Sequence, residues 1–295
     1  MGIEPFRHAI QRDSMDDALR TGLWNACTIY WNQTPRNKFL STYAKENKDR
    51  RLLDMVERLW SVHLKKPLDK MDDYWSNSYD DIRKEFLFNI PWNKVYEFVE
   101  FLASNYADES VNAKFMQECN AVLKREASAY RFISGIIAPI VSDTEISEVE
   151  KAIADAPLKS ISDHLTRALE LLADRKSPDY RNSIKESISA VEALCKAVAN
   201  SPNATLSAAL AEVESKQILR LHPSLKAAFD RLYGYTSSAE GIRHALMDQA
   251  SLDVEDAMFM LVACSAFANY LKSKATKAGI DLKLVASEGG GDSHA

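Results

Sequence analysis

The sequence is poor in the residues that build common phosphate-binding loops, disulfide frameworks and metal sites. Only 9 of the 295 residues are glycine, and three of these lie in the C-terminal tail, so a glycine-rich phosphate loop is not expected. The 4 cysteines form no CxxC pair, and the 6 histidines show no HxxxH or HExxH spacing. These absences disfavour disulfides and structural zinc, and we expect no metal and no cofactor.

The chain also lacks a strong charge of either sign and a long apolar run. Its net charge is −5, and residues 158–283 carry 16 Lys and Arg against 15 Asp and Glu, so any contact with nucleic acid must be local. The most apolar stretch, 257–268, is far shorter than the roughly 20 residues of a membrane span. Because the N-terminus has no apolar signal core, we expect a cytoplasmic protein without a membrane partner.

What the sequence does contain is a globular composition divided into two halves. Hydrophobic residues make up 46% of the chain, and all 5 tryptophans fall before residue 93. Helical apolar periodicity dominates both halves, so we predict a mainly α fold with two helical domains. The predicted organisation is a helical domain over 1–128, a hairpin or linker over 129–157, a helical bundle over 158–283 and a disordered tail over 284–295.

Local signals place several helices within this plan. Ser14 and Asp17 have the spacing of a capping box before a helix with an apolar face. The clearest helix is predicted over 179–200, and another is predicted to start at Asp253, with Asp256 three residues later. The stretch 129–143 is rich in β-branched and aromatic residues around a glycine, which indicates a short hairpin or an extended connector.

The strongest candidate for chemistry is the adjacent pair Arg243 and His244, which follows a polar stretch bounded by glycines. Histidine transfers protons near neutral pH and arginine grips phosphate in a bidentate manner. An imidazole that assists a ribose 2′-hydroxyl and a guanidinium that stabilises charge on phosphorus suffice for RNA cleavage without a metal. The alternative is that Arg243 forms a salt bridge in a loop while His244 packs beneath it.

A second cluster lies at the predicted start of the 179–200 helix and contains Arg175, Lys176, Tyr180 and Arg181. Backbone N–H groups at a helix start favour an anion, so these residues are candidates for binding substrate. The alternative is a capped helix start with a solvated basic turn.

Two further histidines are interpreted as structural. Arg58 and His63 have four residues between them, which on an α-helix turns the two side chains about 140° apart. His164 lies near a predicted helix start, where capping, packing or solvent exposure is the usual role.

Several stretches together resemble a known group of bacterial proteins. The stretches DYRNSIKESISAVEALCK (179–196), LYGYTSSAEGIRHALM (232–247) and DAMFMLVACSAFANYL (256–271) are similar to the HEPN superfamily of helical domains. DSMDDALRTGLWN (13–25) resembles the AbiJ-type N-terminal domains that precede such modules, and AYRFISGIIAPI (129–140) fits the same group.

The resemblance implies a protein of abortive infection or anti-phage defence with a C-terminal HEPN-like bundle that commonly dimerises. It implies a metal-independent endoribonuclease, in which Arg243 occupies the place of the HEPN arginine and His244 matches the histidine in type but not in spacing. RNA, a second copy of the chain and other defence-system proteins are the expected partners. A module that binds RNA, a nucleotide or a protein without catalysis is the alternative.

Overall fold

A computed structural model of the chain describes residues 10–33, 50–72, 75–105, 109–215, 221–237, 252–280 and 282. Within these ranges the chain is mainly helical and contains one two-stranded hairpin, so the predicted fold class is confirmed. The chain divides into two compact units, Met1–Ile137 and Ala138–Ala295, which we call unit 1 and unit 2.

Within its described residues, unit 1 combines five α-helices with two π-helical segments. The helices are α1 (Asp17–Gln33), α2 (Arg50–Arg58), α3 (Trp75–Lys84), α4 (Trp92–Asn105) and α5 (Glu109–Arg125). The first π-helical segment, Leu59–His63, continues α2, and the second, Glu85–Asn89, continues α3; a short 3₁₀ turn covers Leu68–Lys70. The hairpin strands β1 (Arg131–Ile133) and β2 (Ile136–Ala138) follow α5.

Unit 2 is built around one central helix. Its elements are α6 (Asp143–Ala154), α7 (Lys159–Ala173), α8 (Tyr180–Ala199), α9 (Leu206–Ser215), α10 (Pro223–Ser237) and α11 (Val254–Lys277). Helix α8 contacts α7, α9, α10 and α11. The apolar face predicted for α8 is buried, namely Ile184, Ile188, Val191, Cys195 and Val198. Burial of this face is the main source of cohesion in unit 2.

A chain of aromatic contacts forms the centre of unit 1. The ring centroids of Trp24 and Phe86 lie 5.2 Å apart, those of Phe86 and Phe98 lie 4.9 Å apart, and the His63 ring lies 5.6 Å from Phe98. These tilted and edge-to-face geometries are the favourable ones for aromatic pairs. The contacts tie α1 and α4 to both π-helical segments.

The hairpin after α5 is held by side chains of neighbouring helices. Asn120 accepts from the backbone N–H of Phe132 at 2.7 Å and donates to its carbonyl at 3.1 Å, and Glu100 accepts from the N–H of Ile137 at 2.6 Å. The turn residues Ser134 and Gly135 both have positive φ, as the preferred two-residue hairpin turns require. The hairpin predicted within 129–143 is confirmed.

The segment 129–157 contains more than the hairpin or linker that the sequence predicts, because its second half is helix α6. The Ser142 side chain accepts from the N–H of Glu145, and Val149 and Ala152 are buried. Asn269 of α11 donates to the Glu148 carbonyl at 3.0 Å and to its carboxylate at 2.7 Å. A serine followed by a glutamate three residues later is a helix-start signal, and it was the sign of this helix in the sequence.

Of the two helix starts for which the sequence indicates capping residues, the cap predicted before α1 is wrong and the start predicted for α11 is confirmed. Asp16, rather than Ser14, caps α1, since its carboxylate accepts from the N–H of Leu19 at 2.8 Å. The capping box of Asp253 and Asp256 at the start of α11 is present with both of its hydrogen bonds.

Helix α11 is long and apolar enough to cross a membrane if only length and composition are considered. Central helices of folded domains meet the same criteria. Helix α11 contacts α6, α7 and α8, and its buried residues include Met260, Leu261 and Leu271, as in a core helix.

Close packing of α1 against α5 depends on Gly22. A Cβ atom at this position would lie 2.6 Å from Cγ1 of Val122, a β-branched side chain with little rotamer freedom. We expect Gly22→Leu to destabilise the protein by about 1–2 kcal/mol in urea unfolding, because overpacking outweighs the gain in helix propensity. Asn25→Leu on the exposed face of α1 is the matched control, and an equal loss there would contradict this explanation.

The stability of the protein should depend on the protonation of His63. Burial lowers the pKa of His63 to about 4, Glu97 opposes this effect, and Lys94 and Lys65 add to it. An unfolded histidine binds a proton below about pH 6.5, so stability should fall as the pH decreases from 6.5 towards 4. Because the ring is partly exposed, we expect His63 to account for about 1–2 kcal/mol of this loss.

The variant His63→Phe keeps a ring at this position and removes the titration. Urea unfolding of both proteins at pH 7 and pH 4.5 isolates the histidine, because the carboxylates are common to the two proteins. Equal pH dependence in the two proteins would contradict the prediction.

Candidate functional site

Arg243 and His244, the predicted catalytic pair, lie outside the described residues, but the two helices that flank them are well defined. The Phe229 ring of α10 and the Phe267 ring of α11 are stacked with centroids 3.4 Å apart and an interplanar angle of 16°. Tyr235 lies near the end of α10. Burial raises its pKa, and the charges of Asp256 and Asp253 at the start of α11 raise it further. These contacts place the end of α10 near the start of α11, so the two helices run antiparallel.

The start of α11 is acidic. Asp253 caps the helix, and Glu255 and Asp256 lie in its first turn. Carboxylates at a helix N-terminus are stabilised by the helix dipole. Their charge disfavours a phosphate at this position unless cations of the neighbouring segment hold it.

The second predicted cluster lies at the start of α8, where the structure describes all four of its residues. Lys176 is exposed, while Arg175, Tyr180 and Arg181 are partly buried. The loop that carries them is anchored to the end of α7, because the N–H of Asp179 donates to the Leu171 carbonyl at 3.1 Å. The cluster therefore has a defined backbone.

The backbone N–H groups of this loop already bind carboxylates of the chain itself. Asp174 accepts from the N–H groups of Lys176 at 2.8 Å and Ser177 at 3.1 Å, and these hydrogen bonds lower the pKa of Asp174. Asp179 accepts from the N–H of Asn182 at 3.0 Å and caps α8. The predicted contribution of these N–H groups to anion binding is therefore reduced, and substrate would depend on the side chains of the cluster.

The sequence interpretation missed a histidine–carboxylate pair between α7 and α8. His164 Nδ1 and Glu186 Oε2 are 2.6 Å apart, and both side chains are partly exposed. Such a pair orients an imidazole and can hold or transfer a proton. A short loop between two predicted helices indicates that they run antiparallel, but which of their residues face each other depends on packing.

The histidine–carboxylate pair and the basic cluster do not form one site on α8. Arg181 and Glu186 are five residues apart on a regular α-helix, which separates their directions by about 140°. Next to His164 on α7, the cation Arg167 is paired with Glu170 at 2.9 Å. The described part of unit 2 therefore contains a histidine–carboxylate pair and a cationic cluster on different sides of α8.

The cysteines have no features of nucleophiles or metal ligands. All four are free and buried, and burial raises the pKa of each thiol, to about 12 for Cys264. A thiol in such surroundings stays protonated and unreactive. Among the described residues, no group of three His, Cys, Asp or Glu side chains is arranged to hold a metal ion.

Comparison with known proteins identifies the N-terminal half of the chain. No curated protein and no solved structure matches it. The family model of AbiJ N-terminal domain 4 matches residues 1–155. This match ends with α6, whereas the packing of the helices assigns α6 to unit 2. The two boundaries differ because the first is defined by sequence similarity and the second by contacts within the structure. Since the match covers more than half of the chain, the protein belongs to the family defined by AbiJ N-terminal domain 4.

Proposed function

We propose that the protein is an abortive-infection effector in which the AbiJ-type N-terminal domain is joined to a HEPN-like domain that cleaves RNA without a metal. Membership of the AbiJ N-terminal domain 4 family associates the chain with abortive infection and defence against phage. That match is the observation that carries the proposal. The proposed site of action is the cytoplasm.

In the proposed reaction, His244 acts as the acid and base and Arg243 stabilises the charge that develops on phosphorus. Proton removal from the ribose 2′-hydroxyl lets its oxygen attack the adjacent phosphorus, and a proton given to the 5′ oxygen completes the cleavage. The resemblance of residues 232–247 to the HEPN superfamily supports this assignment. Arg175, Lys176, Tyr180 and Arg181 are proposed to bind the substrate.

The second candidate function is a HEPN-like module that binds RNA, a nucleotide or a protein without catalysis. Arg243 and His244 are adjacent, and neighbouring side chains on a helix diverge by about 100°. This divergence favours binding over catalysis, and the two functions separate in a cleavage assay.

The assay compares Arg243→Ala and His244→Ala with the wild type on total RNA. Each substitution should reduce the rate about 100-fold or more, which corresponds to about 3 kcal/mol of lost transition-state stabilisation. Arg243→Lys should restore part of the activity, since lysine keeps the charge but not the planar fork. Cleavage should persist in EDTA.

His164→Ala is the matched control, because His164 is the histidine that the structure pairs with a carboxylate. Under the proposal it leaves the cleavage rate near that of the wild type. Loss of activity in His164→Ala with full activity in His244→Ala would transfer the acid and base role to the α7–α8 pair. A wild type that binds RNA and never cleaves it would establish the second candidate function.

We further propose that the protein is a homodimer that associates through α11, with other defence-system proteins as additional partners. Phe259 is 59% exposed although it lies on α11, whose other large apolar residues include the buried Met260 and Leu261. Light scattering should give about twice the chain mass of 33.1 kDa. Phe259→Asp should shift the protein to monomer, whereas Lys277→Asp at the far end of the same helix should not. A monomeric wild type at tens of micromolar would refute the dimer.

A further inference from the structure

The first π-helical segment brings together two side chains that an ordinary helix would separate. The N–H of Leu64 donates to the Leu59 carbonyl at 2.9 Å, which is the bond between residues five apart that defines a π-helix. This wider turn moves His63 towards the side on which Arg58 lies. The Arg58 guanidinium carbon is 6.0 Å from the centroid of the Phe101 ring, and the His63 ring is 5.6 Å from the same centroid.

The interpretation of Arg58 and His63 as side chains that face different ways is therefore wrong. It assumed α-helical geometry over 58–63, and the π-helical turn removes most of the expected difference in direction. Both side chains instead meet the Phe101 ring of α4.

The residue Lys65, two residues after the end of the π-helical segment, has a left-handed backbone conformation that hydrogen bonds of its neighbours stabilise. Lys65 has a φ of 55°, a left-handed conformation that costs a residue with a side chain about 1–2 kcal/mol. Lys66 donates its N–H to the Trp60 carbonyl at 3.0 Å, and the Trp60 indole donates to the Pro67 carbonyl at 2.9 Å. A left-handed residue directly after the last turn is a common way for a helix to end, and here it fixes the direction of the backbone after the segment.

Positive charge around this segment is only partly neutralised. Lys94 forms a salt bridge with Glu97, and Lys66 pairs with Glu85 at 2.6 Å. Arg58 and Lys65 are exposed, and no described carboxylate forms a salt bridge with either of them. Val62 lies between them in the sequence and is 54% exposed. Lys65 lies two residues after His63, and its charge acts on the His63 imidazole. The segment therefore carries two cations without a described carboxylate partner, and one of them, Arg58, contacts the Phe101 ring.

We propose that this surface, formed by Arg58, Val62, His63, Lys65 and Phe101, binds a nucleotide, either free or at the end of a single-stranded nucleic acid. Arg58 and Lys65 hold the phosphate, and the Val62, His63 and Phe101 side chains contact the base. Cations combined with flat aromatic groups are the usual means of binding single-stranded nucleotides with little sequence preference. His63 is neutral at pH 7 and can hydrogen-bond a base without competing for the phosphate.

This site goes beyond the proposed function, because it gives the N-terminal domain a ligand of its own. It stands whether or not the C-terminal domain cleaves RNA.

Fluorescence anisotropy of the full-length protein tests the site with a 5′-fluorescein decamer of deoxyadenosine. This probe has no 2′-hydroxyl, so the proposed ribonuclease cannot cleave it. Arg58→Ala and Lys65→Ala should each weaken binding about 10-fold, and the double variant about 100-fold. Lys114→Ala, which removes an exposed lysine from α5 of the same unit, should bind as the wild type does. Thermal unfolding checks that each variant is folded.

Competition and cross-linking separate the possible outcomes. Displacement of the decamer by ATP identifies a free nucleotide as a ligand, whereas displacement only by unlabelled oligonucleotide identifies the end of a nucleic acid. A decamer with 5-bromouracil at its end should cross-link to peptides that contain residues 58–65 or 94–102. Unchanged affinity in the double variant, or cross-links confined to unit 2, would overturn the site. The binding result is independent of the cleavage assay, so the two proposals can fail separately.

Discussion

Burial of α8 on most of its circumference is the constraint on which unit 2 depends. Helices α7, α9, α10 and α11 all contact it, and its buried residues extend from Ser183 to Ala199. Two serines of this helix, Ser183 and Ser187, are also buried. Ser183 donates to the Ala168 carbonyl of α7 at 2.8 Å, so its buried hydroxyl keeps a hydrogen-bond partner. With α8 immobilised in this way, the loop before it and the His164–Glu186 pair beside it have defined positions.

In unit 1 the corresponding role belongs to the aromatic contacts that run from Trp24 to His63. They join the two π-helical segments to α1 and α4. Arg20 reinforces the second segment by donating to the carbonyls of Phe86 at 2.7 Å and Ile90 at 2.9 Å, which the π-helical geometry and its end leave available. A helix that changes its pitch needs such external support. The same support gives Arg58 and His63 their shared contact with Phe101.

Family sequence and tertiary packing divide the chain at different points, and helix α6 lies between the two boundaries. The family match ends at residue 155, whereas the packing boundary falls inside β2. Glu148 of α6 accepts hydrogen bonds from Asn269, and Lys272 donates to the Asp155 carbonyl at 2.6 Å, so α11 holds both the middle and the end of this segment. Helix α6 is therefore inherited with the N-terminal domain and stabilised within unit 2.

Much of the fold could be predicted from the sequence because it depends on local signals. The apolar period of α8, the capping box of Asp253 and the β-branched hairpin each determine their element within a few residues. The start of α6 carries the same kind of signal at Ser142 and Glu145, directly after the hairpin. The assignment of the N-terminal domain likewise came from residues visible in the sequence, and the family match agrees with it.

The candidate sites were less predictable, because they depend on contacts between distant residues. The sequence by itself determined which residue types were present: the Arg243–His244 pair, the basic cluster before α8 and the spacing of Arg58 and His63. Only the tertiary structure decided that Glu186 lies beside His164 and that Asp174 and Asp179 occupy the backbone N–H groups near α8. The tertiary structure also decided that Arg58 and His63 both contact the Phe101 ring. The π-helical turn that allows this is stabilised by packing against α4, and local sequence propensity does not predict it.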